Sequence, residues 1–288
     1  MVAPPHASSA SAQQPPSRLD REAPLGVFDS GLGGLTVVRA LRARCPSEDI
    51  IYLGDTARVP YGTRSGETVV RYALGCARML LGRGVKAIVV ACNTVSAVAL
   101  EMMRVELDLP VLGVIVPGAR AGVAAARGGA VGVLGTTGTI SSGAYPRAVA
   151  SLSTRAEVIG QAAPLLVSLA EEGWLEGEVP RLVSRRYLEP VIRAGAKCVV
   201  LGCTHYPLLQ GVIEAEAADL AGAPVPVVDS ARATAEDVAN FLEERDQGSR
   251  RTRRGSLELL VTDLPKSFTA VAERFLGEPL GDVRQVDL

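Results

Sequence analysis

The chain lacks the features that would place it in or across a membrane. No run of about 18 apolar residues is uninterrupted. The first residues also lack the basic stretch and apolar core of a secretion signal. We therefore expect a cytoplasmic protein with no membrane partner.

The chain also has little net charge and few cysteines. Thirty basic residues against 31 acidic ones leave a formal charge of -1, so no global field attracts nucleic acid, and nucleic-acid binding is not expected. Five cysteines in 288 residues are odd in number and thinly spread, which argues against a disulfide framework and for free thiols.

Apolar runs alternate with helical patterns over most of the chain. Residues 1–23 are rich in Pro, Ala, Ser and Gln and are predicted to be a disordered extension. The later runs predict strands at 25–28, 50–53, 87–91, 111–114, 131–134, 198–202, 225–228 and 257–261. Such alternation is typical of an α/β fold with a largely parallel sheet.

Three pairs of segments repeat in the same order and suggest an internal duplication. Residues 26–30 (GVFDS) echo 132–136 (GVLGT), residues 84–92 (GVKAIVVAC) echo 195–203 (GAKCVVLGC), and residues 110–114 (PVLGV) echo 224–228 (PVPVV). Buried parallel strands are all rich in valine, so a single pair would mean little. Together the three pairs predict two similar α/β domains related by pseudo-two-fold symmetry, one of residues 24–116 with 226–288 and one of residues 117–225.

Each repeat carries an apolar strand that ends on a cysteine, Cys92 or Cys203. Ligands of parallel sheets bind at the carboxyl ends of the strands, so both thiols are expected in a cleft between the domains. Opposed thiols suit a racemase that removes the α-proton on one face and delivers a proton on the other. Asp29 and His205 are the candidates for polar support and proton exchange.

Other interpretations of the cysteines are weaker. Cys45, Cys76 and Cys198 are predicted to be small buried residues. No metal is expected, because Cys92, Cys203 and His205 lack the usual C-x-x-C spacing and His6 lies in the extension. Amidase chemistry by Cys203 and His205 would leave Cys92 unexplained.

Several loops offer further candidates for substrate binding. For some of them, residue spacing alone does not choose between a binding role and a surface role. The glycine-rich segment 29–34 suits a carboxylate as well as a phosphate. Tyr61 lies in a polar loop that is either a clamp or a surface turn. The basic run 250–254 is interpreted as a solvated loop, and Glu171 either faces the cleft or lies on the surface.

Longer motifs resemble the glutamate racemase family of the aspartate/glutamate racemase superfamily. The matching segments are 26–37 (GVFDSGLGGLTV), 54–62 (GDTARVPYG), 91–97 (ACNTVSA), 135–139 (GTTGT), 201–208 (LGCTHYPL) and 229–231 (DSA). The resemblance runs from about residue 25 to past residue 231. The family commonly has Pro-Leu-Val-Glu where this chain reads Ser168-Leu169-Ala170-Glu171.

The resemblance implies interconversion of L- and D-glutamate without pyridoxal phosphate, supplying D-glutamate for peptidoglycan, often in a homodimer. It implies Cys92 and Cys203 as the catalytic pair, and auxiliary roles for Asp55 and Glu171. The implied substrate contacts are Asp29, Ser30, Tyr61, Gly62, Asn93, Thr94, Thr137, Thr139, Thr204 and His205.

Two alternative functions accompany this hypothesis. A racemase for aspartate or another amino acid would share the mechanism and differ in the pocket. A binding protein on the same scaffold is the other alternative, since some members of the family inhibit DNA gyrase. Only the extension 1–23 and the run 250–254 would serve that second role.

Overall fold

The structure, a computed structural model, describes residues 20–266 and 268–288, where strands and helices alternate along the chain. The strands are β1 (Leu25–Asp29), β2 (Ile50–Gly54), β3 (Ala87–Val90), β4 (Val111–Gly113), β5 (Ala130–Gly135), β6 (Val158–Ala162), β7 (Ala196–Gly202), β8 (Val227–Asp229), β9 (Leu257–Val261) and β10 (Val283–Gln285). The helices are α1 (Leu35–Arg44), α2 (Gly66–Gly82), α3 (Asn93–Val98), α4 (Leu100–Glu106), α5 (Ile115–Ala126), α6 (Thr137–Ser141), α7 (Ala144–Leu152), α8 (Leu165–Glu172), α9 (Glu178–Arg193), α10 (Gln210–Ala221), α11 (Ser230–Glu244) and α12 (Phe268–Leu276).

The strands form two sheets, and every strand pairing is parallel. The first sheet has the order β10-β9-β2-β1-β3-β4, and the second has the order β6-β5-β7-β8. Helices cover the faces, so the inner strands β1, β2 and β3 are buried along their whole length and read as continuous apolar runs. The predicted α/β class with two parallel sheets is confirmed.

The two sheets share one strand order, which places the echoed segments at equivalent positions. The order β2-β1-β3-β4 in the first sheet corresponds to β6-β5-β7-β8 in the second. The three echoed pairs therefore fall on β1 and β5, on β3 and β7, and on β4 and β8. The first sheet continues past β2 into β9 and β10, because the chain returns to it after the second repeat.

The sheets differ from the predicted strands and boundaries in three places. β8 pairs with β7, so the second sheet extends to Asp229, beyond the boundary predicted at 226. The domain boundaries otherwise stay a prediction. β6 and β10 escaped prediction because they are edge strands with weak apolar patterns, and β10 exposes Arg284 and Gln285.

The last four residues of the predicted disordered extension, 20–23, contact residues of the folded part of the chain. Residues 1–19 of that extension lie outside the described residues. Residues 20–23 instead make ordered contacts: Arg21 pairs with Asp246 at 2.6 Å, and its carbonyl oxygen accepts a hydrogen bond from Lys86 Nζ at 2.6 Å. Disorder for these four residues was wrong because the sequence pattern does not show their partners at 86 and 246.

Lys86 forms a buried ion pair with Glu48 at this junction. Lys86 Nζ lies 2.6 Å from Glu48 Oε2, and the two side chains are 0% and 3% exposed. Nζ also donates to the carbonyl oxygen of Gln247 at 2.8 Å, which satisfies its remaining donor capacity. None of the helices in the described part of the chain combines the length and the apolar character needed to cross a bilayer.

We predict that Lys86→Met lowers the free energy of unfolding by about 3–5 kcal/mol, because it leaves the Glu48 carboxylate buried without a counter-charge. Urea unfolding measures the change. Arg83→Met is the matched control, since its pair with Glu258 is about one-third exposed and should contribute no more than about 1 kcal/mol. Equal losses in the two variants would contradict this account of the buried pair.

Candidate active site

A cavity of about 300 Å³ lies where the carboxyl ends of the two sheets meet. Its size is at the lower end of the range for small-molecule sites, about 300–1,000 Å³. Eleven of the residues predicted for the site line it: Ser30, Tyr61, Gly62, Cys92, Asn93, Thr94, Thr137, Glu171, Cys203, Thr204 and His205. Three others, Asp29, Asp55 and Thr139, lie behind the wall.

Cys92 follows β3 and caps the N-terminus of α3. Its side chain is 6% exposed, and the thiol donates to Ser30 Oγ at 3.4 Å. Burial, and next the nearby carboxylate of Asp29, raise the pKa of the Cys92 thiol to about 12. In the absence of substrate this cysteine is therefore a protonated thiol.

Cys203 follows β7 and belongs to a chain of three polar groups. Its Sγ lies 3.7 Å from His205 Nδ1, and His205 Nε2 lies 3.1 Å from Glu171 Oε1. Burial alone would lower the pKa of His205, but its hydrogen bonds to Cys203 and Glu171 outweigh burial and raise that pKa to about 10. The contact with His205 lowers the pKa of Glu171 in turn. At neutral pH the imidazole is thus a cation beside the Cys203 sulfur.

Asp29 ends β1 and lies directly behind the cavity wall. The side chain is 1% exposed, and its Oδ2 accepts a hydrogen bond from the Gly31 amide at 3.1 Å. Burial raises the pKa of Asp29, against the opposing charge of His205. Among the described residues, Asp29 Oδ1 and the nearby Asn93 Nδ2 have no hydrogen-bond partner. Buried polar atoms are rarely left in this state, so both keep unused hydrogen-bonding capacity beside the cavity.

Asp55 anchors the cavity wall and does not line the cavity. The carboxylate accepts hydrogen bonds from the Tyr61 hydroxyl, from Arg58 Nε at 2.7 Å and from Thr262 Oγ1 at 2.9 Å. Arg58 also lies over the ring of Tyr72, 4.3 Å from its centroid. Asp55 thus positions the loop that presents Tyr61 to the cavity. Its own carboxylate does not line the cavity that holds the two thiols.

A cluster of threonines joins the two repeats at the cavity floor. Thr94 Oγ1 lies 2.9 Å from Thr136 Oγ1 and 3.4 Å from Thr139 Oγ1. Thr139 is 1% exposed and is turned into this cluster, whereas Thr137 faces the cavity. Gly62 fits against Thr136, because a Cβ on Gly62 would lie 3.0 Å from that side chain.

The structure adds lining residues that sequence reasoning missed. Thr136 is the counterpart of Ser30 in the echoed segments, so the repeat itself carried that signal. Pro164, Val167 and Ser168 precede Glu171 at helical spacing and form the face of α8 that looks into the cavity. The departure from the family pattern at Ser168 therefore places a hydroxyl where the family commonly has proline.

The remaining cysteines lie away from the cavity. Cys76 and Cys198 are buried, and Cys198 donates to the carbonyl oxygen of Gly122 at 3.2 Å. Cys45 is partly buried at the end of α1. Within residues 20–266 and 268–288, no group of three or more His, Cys, Asp or Glu side chains is arranged to hold a metal ion.

Comparison with known proteins places the chain in a family of racemases. The family model for Asp/Glu/Hydantoin racemase matches residues 35–238, and this chain belongs to that family of isomerases. Its relatives there are glutamate racemases: the enzyme of Geobacter metallireducens is 50% identical over 92% of this chain and 96% of that protein.

Solved structures of glutamate racemases share the fold over nearly the whole chain. The Thermus thermophilus enzyme in complex with β-chloro-D-alanine has a TM-score of 0.83 and 46% identity, covering 93% of this chain and 98% of that one. The Francisella tularensis enzyme in complex with D-glutamate has a TM-score of 0.84 and 35% identity, with the same coverage.

We predict that Gly33→Ala lowers kcat/KM by about 10²-fold, because small displacements of reacting groups have effects of this size. A Cβ at Gly33 would lie 2.3 Å from Thr204 Oγ1 and 2.5 Å from His205 Nδ1. Gly75→Ala is the control: it lies within α2 with no atom within 4 Å of the added Cβ. Steady-state kinetics decide, and wild-type activity in Gly33→Ala would show that this contact is not critical.

The raised pKa of His205 predicts a loss of stability at alkaline pH. Because this pKa is about 10 in the folded protein and 6.5 without the fold, the stabilising contribution is complete below about pH 6.5 and is lost as pH rises through 10. Between pH 7 and 10.5 the melting temperature of the wild type should fall further than that of His205→Gln. The two falls should differ by at least about 2 °C. Parallel curves would contradict the assigned pKa.

Proposed function

We propose that this racemase interconverts L- and D-glutamate, with Cys92 and Cys203 as opposed acid and base and without a cofactor. The observation that carries the proposal is that both thiols line one cavity from matching positions in two repeated units. The glutamate racemases to which the chain is similar support glutamate as the substrate. The D-glutamate formed supplies peptidoglycan synthesis.

The proton transfers balance without any other reactant. One thiolate forms an S–H bond with the α-proton while the Cα–H bond breaks, and the electron pair stays on Cα and its carboxylate. The thiol on the opposite face then breaks its S–H bond and delivers its proton to Cα. The product is the mirror image of the substrate, and the two cysteines have exchanged protonation states.

The surroundings of the two sulfurs favour one resting state. Burial and the nearby Asp29 carboxyl group raise the pKa of Cys92 and keep it protonated, while the sulfur of Cys203 lies beside the His205 cation. Cys203 then starts as the base and Cys92 as the acid. After one turnover the roles are reversed, and exchange of the two thiol protons with water, or turnover of the opposite enantiomer, restores the resting state.

The polar groups of the wall suit the charges of an amino acid. Asp29 Oδ1 has no partner among the described residues and is the acceptor for the substrate ammonium, beside Ser30. The donors Asn93, Thr94 and Thr204 hold the α-carboxylate. The amides and hydroxyls near Gly62 and Thr137, with the Tyr61 segment, receive the side-chain carboxylate, while Thr139 supports them from behind.

The substrate is tested by steady-state rates across amino acids. A preference for glutamate supports the proposal, because the distant carboxylate finds its donors on the far wall. Turnover of aspartate with silence toward glutamate would keep the mechanism and change the substrate.

The remaining sequence predictions receive no comparable support. A homodimer and a cytoplasmic location stay predictions. The gyrase-binding alternative depended partly on the run 250–254, whose arginines pair with carboxylates: Arg251 with Glu22 at 3.1 Å, Arg253 with Asp49 at 3.3 Å and Arg254 with Glu278 at 3.0 Å. Its other basis, the extension, lies mostly outside the described residues.

We predict that Cys92→Ser and Cys203→Ser each lower kcat/KM by roughly 10²–10⁴-fold, the usual contribution of a general acid or base. Circular dichroism of each enantiomer follows the reaction. The loss must be equal in both directions, because the equilibrium constant between enantiomers is one. Cys45→Ser is the control and should keep wild-type activity, and full activity in either of the other variants would overturn the two-thiol mechanism.

A further inference from the structure

Helix α12 reaches from the first repeat to the polar groups around Cys203. It follows β9 of the first sheet and packs against α1. The ring of Phe275 meets the ring of His205 edge to face, with 5.0 Å between centroids. One helix of the first repeat is thus in direct contact with the imidazole that serves a thiol of the second.

The neighbouring residue, Arg274, holds the end of α8. Its Nη1 donates to the carbonyl oxygen of Glu171 at 2.7 Å and to that of Ala170 at 3.3 Å. The carbonyl groups in the last turn of a helix lack partners within the helix and carry partial negative charge, so a guanidinium there is favourable. Arg274 therefore caps the turn that carries Glu171.

Gly173 makes this approach possible. It ends α8 in the left-handed conformation, with φ of 77°, and a Cβ there would lie 2.6 Å from Arg274 Cζ. The guanidinium thus lies close to the backbone that follows Glu171. It binds the carbonyl groups, and the Glu171 carboxylate is left to His205 Nε2 at 3.1 Å.

We infer that Arg274 is a positioning residue for the racemization: by capping α8 it holds Glu171 against His205, and through them it supports Cys203. The inference rests on the proposed function for its kinetic consequence. The charged and titratable groups that face His205 are Cys203 on its own segment, Glu171 on α8 and Asp29 at the end of β1. From α12 the uncharged ring of Phe275 meets the imidazole, and Arg274 contacts the carbonyl group of Glu171 instead, so Arg274 acts through Glu171.

The test is the titration of His205 by NMR together with kinetics. The chain has two histidines, so a His6→Gln background leaves the imidazole of His205 as the single signal. In that background Arg274→Met should lower the pKa of His205 by at least about one unit, because the freed turn lets Glu171 leave the ring. It should also lower kcat/KM about 10-fold, within the range for a displaced supporting group.

Two further variants separate a role of Arg274 in positioning Glu171 from a role in the stability of the fold alone. Arg274→Lys keeps a cationic donor and should restore most of the His205 pKa and of kcat/KM. Arg284→Met removes an exposed arginine that pairs with Glu258 at 3.3 Å on β9 and should leave both unchanged. If Arg274→Met does not fold, Arg274→Gln replaces it, with a His205 pKa below that of Arg274→Lys.

The outcomes distinguish this inference from the proposed function. A lower melting temperature with unchanged His205 titration and unchanged kcat/KM would overturn the positioning role and leave a structural cap. A wild type that racemizes no glutamate would refute the proposed function, while the His205 titration of the variants would still decide whether Arg274 holds Glu171 in place.

Discussion

The site depends on the common direction of all strands in two sheets. Because every pairing is parallel, the polar residue that follows each strand lies at one edge of its sheet. Asp29 and Cys92 meet at that edge of the first sheet, and Thr136 and Cys203 meet at that edge of the second. Two such edges facing each other enclose a cavity with a thiol from each repeat, which a single sheet could not provide.

The repeats are similar in topology and different in the chemistry around each sulfur. Cys92 lies near the buried carboxyl group of Asp29 and a serine hydroxyl, whereas Cys203 lies beside an imidazole whose pKa is raised by its contacts with Cys203 and Glu171. A symmetric pair of sites would give both thiols the same surroundings and no preferred starting roles. The asymmetry keeps Cys92 as the acid and leaves Cys203, beside the imidazole, as its opposite partner.

Much of this arrangement could be predicted from the sequence because the strands are buried on both faces. Such strands read as apolar runs, and Cys92, Cys203 and Asp29 follow them directly, so their place at the sheet edge needs only the parallel topology. Asp55 also follows a strand, yet Arg58, Tyr61 and Thr262 hold its carboxylate behind the wall. Which way a side chain points depends on partners far along the chain, and Thr262 is one of these.

The face of α8 and its support could not be predicted for the same reason. Val167, Ser168 and Glu171 share a helical face, but only the packing of α8 over the cavity shows that this face looks inward. The contact of Arg274 with the end of α8 joins residues about a hundred positions apart. No pattern in the neighbouring sequence predicts such a contact.

The central claim, two thiols on opposite faces of one substrate, is tested most directly by proton NMR of L-glutamate during its first turnovers in D₂O. A thiol exchanges its proton with solvent, so the acid on the far face delivers deuterium. The account predicts that newly formed D-glutamate carries deuterium at Cα while the remaining L-glutamate keeps its proton. Product that retains the original proton, or early deuterium in the unreacted L-glutamate, would point to a single base and contradict the account.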